Sequence, residues 1–150
     1  MIKRIPLRPN HQSDIMNFIF YVKLYALTVP VFFAIDIAWL GVVAKMFYQK
    51  NLGFILSPNV NWWAAISFYL IYISGILIFA VVPALKEESL REALLWGSLY
   101  GFFTYATYDL TNMATIKNWP FKVVMVDIFW GVLLCSMVAS ISFFIGKWIS

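Results

Sequence analysis

Three aspartates stand in stretches that are otherwise apolar: Asp36 in FAIDIAWLG, Asp109 in YATYDLTNMAT and Asp127 in VMVDIFWG. A carboxylate in such company has three chemical options, which are to hold a proton, to bind a cation, or to pair with an amine. Each has polar or aromatic neighbours one helical turn away. Tyr105 precedes Asp109 and Asn112 follows it, while Trp39 and Trp130 follow Asp36 and Asp127 in a shared D-I-x-W pattern. Lys45, Lys117 and Lys122 are the amines within reach in sequence. A carboxylate pair with raised pKa could also act as general acid and base.

The elements that position these residues follow from composition. The chain is 63% hydrophobic, 19% aromatic and 12% charged, against roughly 25% charged in an average soluble domain. Its apolar residues gather in four blocks, about 24–43, 62–85, 93–113 and 121–146, each near the ~20 residues that cross ~30 Å of hydrocarbon. The expected fold is all-α: four transmembrane helices in an antiparallel bundle spanning 16–150, preceded by a polar, basic tail at 1–15. The first block lacks a cleavage site and is expected to stay as a helix. Ser89 and Glu92 form a capping box that opens the third helix, Trp119-Pro120 opens the fourth, and Pro30 bends the first. The segment 51–61, with apolar Phe54 to Leu56 at its centre, is a lid over the polar residues or an ordinary interfacial loop.

Helical rise places all three aspartates in one leaflet half, Asp109 and Asp127 about 9 Å in and Asp36 about 13 Å. Gly97, Gly101, Tyr105 and Asp109 recur every fourth residue, as do Asp127, Gly131, Cys135 and Ala139. Such stripes of small residues let backbones approach, so both carboxylates share a packed face. The expected site is a polar pocket of Asp36, Trp39, Lys45, Tyr105, Asp109, Asn112, Asp127 and Trp130, rimmed also by Trp119. The competing reading is that these groups only hydrogen-bond the helices together. Gly97 and Gly101 also fit GxxxG, an oligomer seam or, more simply, packing within the bundle.

Several classes are excluded by residue type. The one histidine, His11, lies in the tail and takes no role, so a Ser-His-Asp triad and a histidine metal site within the membrane are ruled out. Glycine loops for nucleotides are missing, no cofactor is implied, and Cys135 stands alone. Tyr108-Asp109 matches the YD element of intramembrane aspartic proteases, but the GxGD partner motif is missing. The net charge of +4 implies no nucleic-acid partner, since the basic residues sit at helix ends and snorkel. Lys and Arg placement puts both termini in the cytoplasm, seven against four, or level if translation starts at Met16.

D-I-A-W-L-G from Asp36, F-Y-Q-K-N-L-G from Phe47, Y-A-T-Y-D-L-T-N-M-A-T from Tyr105, N-W-P from Asn118 and V-D-I-F-W-G from Val126 together resemble the DUF2177 family of small bacterial membrane proteins. The resemblance covers about 21–145 and implies a bacterial inner-membrane protein in contact with lipids, without an assigned activity. The residues leave three functions open. One is an outward-facing acidic and aromatic pocket that binds or transports a cation, a proton or a small amine-bearing molecule. The others are a membrane enzyme using Asp109 and Asp127 on a lipid-borne substrate, and a structural or assembly protein.

Overall fold

The computed structural model describes residues 11–150, with side chains from residue 17 onward except at 42 and 43; residues 1–10 of the expected tail lie outside the described residues. The regular structure of the described residues is all helical, with links at 53–61, 87–89 and 116–120. It comprises α1 (His11–Trp39), α2 (Lys45–Leu52), α3 (Trp62–Ile76), α4 (Val82–Lys86), α5 (Leu90–Thr115) and α6 (Phe121–Ile149). Five-residue π-helical turns, Leu40–Ala44 and Leu77–Val81, join α1 to α2 and α3 to α4 without a break.

The first helical segment therefore outruns its apolar block at both ends. Lys45, Gln49 and Lys50 lower hydropathy after residue 43 but have good helix propensity, so the backbone continues to Gly53, whose N–H still bonds Gln49 O at 3.1 Å. Helix starts follow their caps. The Asn61 side chain accepts from Ala64 N at 3.2 Å, and Ser89 Oγ accepts from Glu92 N at 3.4 Å. The capping box is only half made, because Glu92 reaches forward to accept from Trp96 Nε1 at 2.7 Å. Asn118, at φ 63°, turns the short link between α5 and α6, a conformation asparagine tolerates better than most residues.

Glycines set the packing. A Cβ on Gly101 would collide with the backbone of Gly131, and one on Gly97 would stand 2.8 Å from Cys135 O and 2.9 Å from Ala139 Cβ. Residues 97 and 101 thus meet 135 and 131, so α5 and α6 run antiparallel at close range. The GxxxG stripe is covered by α6 within the chain. On the other side of α6, Thr28 Oγ1 donates to Ser142 Oγ at 2.9 Å and Trp39 meets Trp130, which makes α1 antiparallel to α6 as well. Tyr100 lies over Gly75 and brings α3 to α5. Leu24, Phe32, Ile73, Ile76, Leu134 and Val138 fill the space between. In hydrocarbon such packing holds helices together through dispersion and close approach, since lipid tails are as apolar as leucine.

By length and composition, three helical segments suffice to cross a membrane: Asn17–Trp39, Trp62–Lys86 and Phe121–Ile149. The fourth expected span, α5, is 26 residues long but falls short in apolar character, because Thr104 to Asn112 is dense in hydroxyl, amide and carboxyl groups.

Candidate carboxylate and aromatic site

The π turn after Trp39 has a positional effect. Asp36 and Tyr48 are twelve residues apart, which on a regular helix at about 100° per residue leaves them about 120° apart; a π turn absorbs one extra residue and brings them within about 20°. Tyr48 consequently reaches the same interior as Asp36. Its hydroxyl donates to Asp127 Oδ1. Burial first, and then the Asp127 carboxylate, hold the Tyr48 phenol above its ordinary value, so it keeps its proton and acts as the donor.

Asp36 is buried on α1 and accepts from Tyr69 Oη of α3 at 3.1 Å. Trp130 of α6 lies beside it, and the Trp130 ring stacks on Trp39 with centroids 4.3 Å apart and planes 8° from parallel. The two D-I-x-W patterns therefore face each other. The indole N–H of Trp130 sits near Asp36, that of Trp39 near Tyr48, and that of Trp119 near Asp109, yet none is aligned to close a hydrogen bond.

Asp109 is fully buried, lies within electrostatic reach of Asp127, and has neither carboxylate oxygen hydrogen-bonded. Asn112 Nδ2 is likewise buried without a partner. All six such atoms among the described residues belong to Trp39, Asp109, Asn112, Trp119 and Trp130. Buried polar groups are nearly always satisfied, by protein, water or a bound group, so their gathering in one region marks it out.

Two cavities adjoin there. One, of about 460 Å³, is lined by Phe68, Tyr72, Thr104, Tyr105, Tyr108 and Asp127. The other, of about 180 Å³, has Asp36, Trp39, Tyr48, Tyr69 and Trp130 in its wall. Phe68 and Tyr105 line both and form the partition. The Tyr105 ring lies where a Cβ on Gly131 would stand, so Gly131 gives it room.

The residues named from sequence thus divide. Asp36, Trp39 and Trp130 line the small cavity, Asp127 the large one and Tyr105 both, while Asp109 and Asn112 sit beside them. Lys45 is exposed and lines neither, and Lys122 Nζ lies 5.8 Å from the Phe47 ring centroid. Among the described residues the one ion pair joins Lys147 to Glu88, so no amine is paired with the aspartates. Nor do three carboxylate, imidazole or thiol groups among them converge as a metal site would require. The apolar segment Phe54 to Leu56 is exposed and lines neither cavity. The site expected from sequence did not include Tyr48, Phe68, Tyr69, Tyr72 or Tyr108, which line these cavities. For Tyr48 a signal existed in F-Y-Q-K-N-L-G, but hydropathy placed it past the helix.

Among characterised proteins, the chain is similar to a fluoride-specific ion channel, FluC, of Magnetococcus marinus, at 26% identity over 121 residues, 75% of this chain and 98% of that protein. No solved structure matches it. A predicted membrane protein family, DUF2177, matches residues 21–144, nearly the whole helical unit that carries the three aspartates. The chain belongs to the DUF2177 family of predicted membrane proteins.

Proposed function

We propose that this protein binds a small organic ammonium ion in the aromatic cavity closed by Asp127, with Asp109 supplying further negative potential. The carrying observation is the wall of the 460 Å³ cavity: three phenol rings, one phenyl ring, one hydroxyl and one carboxylate, with no lysine or arginine in it. Aromatic faces attract cations through their quadrupole, and quaternary or protonated amines suit such cages. The volume falls within the range of small-molecule sites. A chelated divalent metal suits the site less well, because no three carboxylate, imidazole or thiol groups among the described residues gather there.

In this reading α5 is a fourth span. Asp109, the one charged group in its polar C-terminal half, is buried, and ionisable groups within a bilayer face the protein interior. The chain then has both ends in the cytoplasm and the carboxylate end outward, in the bacterial inner membrane, as the Lys and Arg asymmetry supports.

A second reading, ion permeation, is favoured by the 26% identity to a protein named as a fluoride channel. The two readings separate by experiment. Protein in phosphatidylglycerol nanodiscs is melted against tetramethylammonium chloride, comparing wild type with Asp36→Asn, Asp109→Asn and Asp127→Asn. Stabilisation of about 2.7 kcal/mol at a hundredfold excess over Kd is expected for wild type, and its loss in Asp127→Asn. Equal curves in all four proteins would sink the ammonium site. Fluoride release from proteoliposomes in their place would establish permeation.

A further inference from the structure

The carboxylate cavity does not end at Thr104. A second cavity of about 400 Å³ shares Thr104 with it and continues along α5 between Tyr100, Leu99, Phe103, Phe79 and Trp96, without a charged residue. A third, of about 670 Å³, shares Phe79 and Trp96 with the second and reaches Glu87, Ser89 and Glu92 at the far end. The three form one groove between α5 and the continuous α3, π-helical and α4 segment. From Tyr108 to Trp96 it follows twelve residues of α5, about 18 Å at ~1.5 Å per residue. That is close to the depth of one leaflet, about half of the ~30 Å hydrocarbon core.

Resting on the ammonium reading above, we infer that the ligand is a single-chain amphiphile whose ammonium head meets Asp127 and whose hydrocarbon tail lies in this groove. Burial of the charge sets the direction. Asp127 and the unpartnered Asp109 are buried at one end, the middle is apolar, and of the two carboxylates at the other end Glu87 is exposed while Glu92 already accepts from Trp96 Nε1. None of the three walls contains a lysine or arginine, so an anionic headgroup has no partner there. Phe68, Phe79, Phe103 and Tyr108 are all at least half exposed along the groove's length. In a bilayer such a flank opens onto hydrocarbon, and a tail enters sideways without passing through water.

The test uses the full chain in phosphatidylglycerol vesicles with tetradecyltrimethylammonium carrying a diazirine at its terminal carbon. After illumination, adducts are mapped by mass spectrometry. Labelling is expected at Phe79, Leu99 and Phe103, suppressed by excess unlabelled amphiphile, and reduced on the order of tenfold in Asp127→Asn but retained in Asp127→Glu, as loss of a charged contact requires. Leu99→Trp fills the groove without touching the carboxylates, and should displace the label from Phe79 while tetramethylammonium still stabilises the protein. Adducts scattered over faces outside the groove, such as Phe129 and Phe144, with Asp127-dependent tetramethylammonium binding intact, overturn the tail assignment and leave the ammonium site standing. Loss of both signals overturns both.

Discussion

The indole rings of Trp39 and Trp130 are stacked 4.3 Å apart and 8° from parallel, each projected by a D-I-x-W pattern from one of two antiparallel helices. This contact joins the two halves of the candidate site. It holds the Trp130 indole against Asp36 and the Trp39 indole against Tyr48, which in turn bonds Asp127.

The stack should be measurable as a coupling. Trp39→Leu and Trp130→Leu each remove large packed area, and a double-mutant cycle should leave about 0.5 to 1.5 kcal/mol of interaction between the rings. Unfolding in a detergent titration gives the four stabilities. Additive losses would mean that the rings touch without contributing to one another.

Glycine substitutions should separate two kinds of clash. Alanine at Gly101 meets the backbone of Gly131, which cannot yield without parting α5 from α6, while the nearest atoms to an alanine Cβ at Gly131 all belong to the Tyr105 ring. Each should cost about 1 to 3 kcal/mol as overpacking. Adding Tyr105→Ser should rescue Gly131→Ala and leave Gly101→Ala unchanged. Thermal melts of the four proteins decide it, and rescue of both or of neither would contradict the packing described.

Tyr48→Phe removes a hydrogen bond to a carboxylate, worth about 1.5 to 3 kcal/mol. Because the folded-state pKa of Tyr48 is raised, its stabilising contribution is fully present below the unfolded phenol value of about 10 and fades as pH rises above it. The gap between wild type and Tyr48→Phe should therefore be constant from neutral pH to about 9 and narrow beyond 10. A gap that widens with alkali would refute the assigned donor.

Asp109 should trade stability for function. A buried carboxylate without a partner costs free energy, so replacing it by an apolar residue of the same branching removes that cost. Asp109→Leu should thus melt no lower than wild type and lose the tetramethylammonium response. A large drop in stability would show that the carboxylate serves the fold instead.

Much of this protein was legible as a sequence. Each apolar block falls within a long helical segment and Ser89 caps α5 as expected, because hydropathy and cap chemistry are local properties. Period-four stripes showed that Gly97, Gly101, Asp109, Asp127 and Gly131 turn inward, since a helix repeats its face every turn. Three things were not legible. The first helix continues to Leu52 through a π turn, which no composition signal marks, and that turn rotates Tyr48 to the face from which it reaches Asp127. Lys45, on the side of the membrane nearer the aspartates, is exposed, because depth says nothing about azimuth. The shared D-I-x-W pattern does not by itself say that its two tryptophans stack on each other. Spacing along a helix fixes which residues share a face, so the sequence determined which groups look inward. Which inward groups touch depends on helix rotation and approach, and only packing of the whole chain decided those.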